Sequence, residues 1–456
     1  MKPTATIKQK YGMFMRILVP ILITQVTMSL MTFFDTMMSG HASPSDLAGA
    51  AVGSSLWIPV QTGLSGILMA MTPVISHFIG EGRKDQIAYQ VMQGLMLAMV
   101  IGLIVIAAGF LLVSPILDGM NLEPKVHHVA FYFLTAMGTG VLPLFGYVVL
   151  RSCMDALGQT RISMLVTLTS LPINVGANYL LIFGKFGFPK LGGIGSGVAS
   201  AFTYWCIFAL ALFILRQTST FSEYSLLRSW YRISLGKWKE LLKIGIPIGF
   251  AIFFETALFA AVTLLMSRFN TVTIAAHQSA NNFASTLYMI PLSICSALTI
   301  LVGYETGAGR LKDAKQYGKL GILTAALLSL ITAAILMVSR RHVAELYSND
   351  SAVIAMIEHF LVYAIFFQIS DAIATPIQGV LRGYKDVNAA FWITLLSYWA
   401  AALPFGYILA NYTQLGPYGY WIGLISGLAI AAVLLIIRLN KVEQRMHQIT
   451  KQSAQV

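Results

Sequence analysis

Three carboxylates sit inside long apolar runs: Asp35 in SLMTFFDTMMSG (29–40), Glu255 in AIFFETALFAAV (251–262) and Asp371 in AIFFQISDAIATPIQGVLRG (364–383). An acid near the middle of a bilayer-spanning helix costs about 2.5–3.5 kcal/mol on insertion scales, so its default reading is a functional group facing the interior of a bundle. The surrounding spacing supports that reading. Around Asp371, the polar residues Gln368, Asp371, Thr375, Gln378 and Arg382 recur three and four residues apart, which puts them on one helix face. Gln278, Asn281, Ser285 and Tyr288 form a second such stripe, and Thr167, Ser170, Asn174 and Asn178 a third. Polar stripes in lipid are costly unless they line a cavity or pair across helices. Glu255 is therefore expected to face Asp371 and the stripe that ends at Tyr288. Two carboxylates among hydroxyl and amide oxygens suit a hard monovalent cation. The same pair could carry protons. The neutral Asn and Gln oxygens favour Na⁺ over H⁺. In the first half of the chain, Pro172 removes one helical hydrogen bond beside Asn174 and Asn178 and could bend that helix toward Asp35.

Other chemistries find no support. The eight histidines do not combine with cysteine or carboxylate at metal-ligand spacing, and the three cysteines are isolated in or beside apolar segments. No nucleophile–base pair is legible, so no enzyme and no cofactor is expected. GEGRKD (80–85) lacks the spacing of a phosphate loop and reads as a tight turn between helices.

The elements that must position these acids are membrane helices. The chain is 57% hydrophobic and 11% charged, with a mean hydropathy of +0.74, far from the composition of a soluble protein. The first apolar run follows no small-residue cleavage site and reads as a retained helix. Punctuation at Gly, Pro and charge clusters gives twelve spans, near 14–38, 48–78, 87–115, 127–150, 161–184, 194–215, 240–268, 274–305, 315–338, 352–381, 388–412 and 419–438. The net charge of +12 suggests no nucleic acid, because the basic residues are scattered between spans. Of the 30 Lys and Arg residues, 24 fall at the termini and in even-numbered loops, which places both ends of the chain in the cytoplasm.

The halves also repeat. GEGRKD (80–85) matches GAGRLKD (307–313), ILVPI (17–21) matches KIGIPI (243–248), and VVLRS (148–152) matches GVLRG (379–383). The expectation is an all-α polytopic membrane protein of 12 transmembrane helices in two pseudo-twofold six-helix lobes, working by alternating access. The lobes are 1–215 and 240–438, joined by a cytoplasmic linker at 216–239 and followed by a cytoplasmic tail at 439–456.

With these residues in place, the chain resembles the multidrug and toxic compound extrusion (MATE) transporters over essentially its whole length, and within them the NorM type. The resemblance implies an antiporter that exports bulky organic cations, such as drugs and dyes, in exchange for Na⁺ or H⁺. It implies a cation site at Glu255 and Asp371 with Tyr288 nearby, and Asp35 with Asn174 and Asn178 as its partners in the other lobe. Some relatives, particularly proton-coupled ones, carry an aspartate where this chain has Asn178, which weakens a proton relay there. Gln278, Asn281, Ser285 and Gln368 are the expected polar lining. Phe33, Phe34, Met37 and Met38, grouped around Asp35, suit lipophilic cations. The chain is read as a monomer of the inner (cytoplasmic) membrane. The main alternative is a lipid-linked saccharide flippase, whose cavity should present Arg or Lys rather than acids; a channel or a membrane enzyme is less well supported.

Overall fold

The computed structural model describes residues 4–218, 221, 223, 224, 226 and 231–453. Part of the expected linker at 216–239, and the last residues of the chain, lie outside them. Twelve helices are long and apolar enough to cross a membrane: α1 Ile7–Ala42, α2 Pro44–Gly80, α3 Asp85–Gly119, α4 Pro124–Ala156, α5 Thr160–Phe183, α6 Gly193–Gln217, α7 Leu235–Met266, α8 Thr271–Gly307, α9 Leu311–Tyr347, α10 Ser351–Gly383, α11 Val387–Tyr412 and α12 Tyr418–Gln448. Ten contain one of the expected spans whole, while the spans at 161–184 and 240–268 run one and two residues past the ends of α5 and α7. The helices overrun the apolar stretches by up to ten residues, because polar residues at a helix end keep the backbone ladder going after the hydropathy signal has stopped. Large apolar side chains such as Phe110, Leu111 and Val338 stay mostly exposed. That suits hydrocarbon as solvent, and the chain is a multi-pass membrane protein.

The ends of the helices follow local chemistry. Ser43 caps α2 by accepting the Asp46 amide at 3.1 Å, and Asn270 caps α8 by accepting the Thr273 amide at 2.9 Å. Within α2 the ladder breaks between Leu68 and Met71, next to Pro73, whose missing N–H cannot serve the Met69 carbonyl. In α11, residues Leu396–Ala402 form a π-helical segment between two α-helical pieces.

The repeated turns share one conformation. In GEGR and GAGR the second glycines, Gly82 and Gly309, take left-handed φ values of +73° and +72°. The Arg83 amide donates to Phe78 O at 3.0 Å and the Arg310 amide to Glu305 O at 2.9 Å, closing both turns in the same way.

The chain divides into two compact units. One comprises residues 19–249; the other comprises 2–18 together with 250–456. Both α1 and α7 are therefore divided, just before Pro20 and just after Pro247. In the second unit, the buried Lys10 ammonium donates to Asp313 Oδ1 and Gln316 Oε1, both at 2.7 Å. In the first unit, Gly245 and Gly249 lie directly against the backbone of Gly63 and Ile67.

Also in the second unit, α12 lies against α11 with almost no room. A Cβ on Gly423 would come within 2.5 Å of Gly406 Cα and 2.6 Å of Ala402 O. Gly423→Leu is thus expected to lower the melting midpoint of the detergent-solubilised protein, with overpacking of this kind costing about 1–3 kcal/mol. Ser426→Ala, three residues on, removes only a hydroxyl bonded back to Ile422 O at 2.8 Å and should leave the midpoint near wild type. A thermal-shift comparison of the two variants checks this.

Candidate ion and substrate sites

In the first unit, α1, α5 and α6 bring Asp35 into a closed network. Its Oδ1 accepts from Asn178 Nδ2 at 2.6 Å and its Oδ2 from Ser200 Oγ at 3.0 Å. Asn178 Nδ2 also donates to Asn174 Oδ1 at 3.0 Å, and Asn174 Nδ2 donates to Ser200 Oγ at 3.3 Å. Asn174 and Asn178 are fully buried. Their spacing of four residues, one turn, lets both amides address one carboxylate. The lower part of the α5 stripe behaves differently. Thr167 pairs with the Tyr147 hydroxyl at 2.7 Å, and Ser170 bonds back to Thr167 O at 2.5 Å.

A cavity of about 520 Å³ lies between α1 and α5 beside this network, lined by Phe34, Met37, Met38, His41, Val175 and Phe183. Three of the four side chains expected around Asp35 line it. Phe33 does not; it is 58% exposed and only edges onto Phe34. An aromatic and thioether wall near a carboxylate can hold an aromatic cation by charge, stacking and adaptable contact.

In the second unit, α7, α8 and α10 carry the other two acids. Asp371, 2% exposed, accepts from Thr375 Oγ1 at 2.7 Å, one turn along α10. Glu255, half-buried on α7, has the Tyr288 hydroxyl of α8 near it. Asp371 lies within electrostatic reach of Glu255, and the Arg382 charge also reaches Glu255. Further along, α8 and α10 are joined by Thr299 Oγ1 donating to Gly379 O at 3.1 Å. Two carboxyl groups on neighbouring helices thus share hydroxyl-bearing surroundings in the second unit.

Among the described residues, the remaining expected lining residues are not bonded to either acid. Gln368 turns toward α9, donating to Thr332 Oγ1 at 2.6 Å. Ser285, exposed on α8, bonds back to Asn281 O at 2.8 Å; Gln278 is exposed and Asn281 half-buried. Of the α8 stripe, Tyr288 is the member near an acid.

Two features escape sequence reading. Ser200 stands in GSGVASAF, a pattern that signals only close helix packing, yet it serves Asp35. Asp155 and Glu305 lie within helices although their sequences read as span ends. Both are buried, and each has its own cation: Arg151 Nε at 3.6 Å from Asp155, Arg310 Nε at 2.5 Å from Glu305. Asp155 also accepts from Ser163. They are ion-paired anchors, unlike the three acids of the candidate sites.

Comparison with known proteins bears on the family and the fold. A family profile described as MatE matches residues 20–180 and 247–408, the same stretch of each half. A "probable multidrug resistance protein NorM" of Halalkalibacterium halodurans is 53% identical over 453 residues, covering 99% of each chain. A Bacillus subtilis protein of the same description is 53% identical over 448 residues, covering 98% of this chain and 99% of its own. The crystal structure of a eukaryotic MATE transporter superposes with a TM-score of 0.83 at 20% identity, over 96% of this chain and 99% of the other. That likeness speaks to the fold.

Proposed function

The chain belongs to the MatE family of transporters, and from that premise we propose that it is a multidrug efflux antiporter that exports bulky organic cations in exchange for Na⁺ by alternating access. It is a transporter and not an enzyme. In this reading Na⁺ occupies the pocket formed by Glu255, Asp371, Tyr288 and Thr375. The organic cation occupies the first unit, with its charge toward Asp35 and its rings against Phe34, Met37 and Met38. The placing of Asp371, buried on α10, within electrostatic reach of Glu255, half-buried on α7, with hydroxyls nearby, carries the proposal. Two like charges held together in low dielectric repel strongly, so the pair favours whatever cation relieves it. Neutral hydroxyl oxygens beside the acids supply ligands that a bare cation needs and a proton does not, which favours Na⁺ over H⁺ as the coupling ion. The distribution of Lys and Arg puts both termini in the cytoplasm of a bacterial inner membrane, and the reading needs only a single copy of the chain.

The test is dye efflux from proteoliposomes under one gradient at a time. An inward Na⁺ gradient without a pH gradient is expected to drive efflux, and a pH gradient alone is not. Efflux driven only by the pH gradient would replace Na⁺ by H⁺ in this scheme. Failure of both gradients would remove antiport altogether.

A further inference from the structure

The geometry points to the π-helical segment of α11, Leu396–Ala402, as a third element of the cation pocket, with the Tyr398 hydroxyl as a neutral oxygen ligand to the ion. This rests on the ion-site reading of Glu255 and Asp371 and deepens it.

The argument begins with where the segment is docked. Trp399 Nε1 donates to the backbone carbonyl of Phe254 at 3.0 Å, and the two rings meet edge-on at 6.0 Å. Phe254 is the residue before Glu255. The neighbouring residue on the segment, Tyr398, is 4% exposed, and both Glu255 and Asp371 lie within electrostatic reach of it. One side of the segment is thus tied to the turn of α7 that carries the acid.

The other side is fixed by α12. A Cβ on Gly427 would stand 2.4 Å from Ala402 Cβ and 2.8 Å from Ser397 O. The segment is therefore clamped between the Glu255 turn and a glycine face, and its side chains have little freedom to find other partners.

Two of those side chains are unsatisfied. The hydroxyls of Ser397 and Tyr398 are both buried and have no hydrogen-bond partner among the described residues. A helical serine ordinarily bonds back to a carbonyl one turn earlier. A buried hydroxyl without a partner is costly and calls for an explanation such as an ion. A π turn inserts one extra residue into the helix and turns side chains off the α-helical register, and such turns concentrate at functional sites. Here the feature places an orphaned phenol within electrostatic reach of two carboxylates, each with another hydroxyl near it, Tyr288 at Glu255 and Thr375 at Asp371. A bound Na⁺ would give that phenol a partner and raise the number of oxygen ligands at the site.

Radiolabelled Na⁺ binding to the purified full chain, with dye affinity and melting midpoint measured in parallel, tests this. Tyr398→Phe keeps the ring and its packing. It is expected to raise the Na⁺ concentration for half-saturation roughly tenfold, as loss of one ligand of about 1.4 kcal/mol would do, with dye affinity and midpoint unchanged. Glu255→Gln should lose Na⁺ binding outright. If Glu255→Gln loses binding while the Tyr398→Phe curve overlies wild type, the π segment is not part of the site and the ion-site reading survives. If the Tyr398→Phe shift comes with an equal fall in dye affinity or in the midpoint, the residue acts through packing and the inference fails. If wild type binds no Na⁺, or Glu255→Gln binds it normally, the ion-site reading itself falls and takes this inference with it.

Discussion

Glu255→Gln and Asp371→Asn are each expected to abolish gradient-driven dye efflux while leaving the protein folded and inserted. The reason is charge. A unit charge about 4 Å from a cation contributes on the order of 4 kcal/mol at the effective dielectric of a partly buried site, roughly a thousandfold in affinity. Either amide keeps the shape of the acid and can still accept from Tyr288 or Thr375, so the hydrogen bonds of the fold persist. Removing one of two neighbouring acidic groups, one buried and one half-buried, also relieves any repulsion in the ion-free protein. The melting midpoint should hold or rise. Efflux in reconstituted vesicles and a thermal-shift assay on the same preparation are the two readouts. Normal efflux by both variants would remove these residues from the coupling site.

Asp35→Asn should be nearly as damaging to transport, by a different route. The new amide can still accept from Asn178, and the Ser200 hydroxyl can rotate to accept from the new N–H, so the network closes again without its charge. What disappears is the only carboxylate in the Asn174–Asn178–Ser200 cluster, the one beside the cavity lined by Phe34, Met37 and Met38. Affinity for a cationic dye should fall by about tenfold or more, since a cation held against an uncharged wall keeps only stacking and apolar contact. Na⁺ binding in the second unit should be unaffected. Dye-binding fluorescence and radiolabelled Na⁺ uptake on one sample separate the two. A variant with wild-type dye affinity and no transport would assign Asp35 to the ion rather than the drug.

The legibility of this molecule in its sequence follows from what the bilayer enforces. Twelve spans are readable because about 20 apolar residues are needed for each and nothing soluble looks the same. The three acids are readable because lipid makes an ionisable residue conspicuous. Asn174 and Asn178 are readable as a stripe, and the structure bonds both to the Asp35 cluster. Past that point the stripe logic weakens. Gln368 and Ser285 have the right spacing and different partners, because spacing gives a face and not the neighbour that face meets. The bond from Ser200 to Asp35 and the π turn at Tyr398 escape the sequence for a related reason. A serine among glycines is ordinary helix packing in a membrane, and a π turn adds one residue to a helix without changing its composition. The turns at Gly82 and Gly309 show the opposite case: a local motif with one steric solution is the same in both halves.

The division of α1 and α7 has a bearing on how the chain is made. The first residues of α1 belong with the second compact unit, where Lys10 reaches Asp313, and the first half of α7 belongs with the first, where Gly245 and Gly249 rest on α2. A nascent chain that has delivered its first six spans still lacks 235–249, part of the core it is building. Its Lys10 then waits some 300 residues of synthesis for its carboxylate. The first unit thus becomes complete only after 249 has been made, and the start of α1 meets its partners only when α9 emerges.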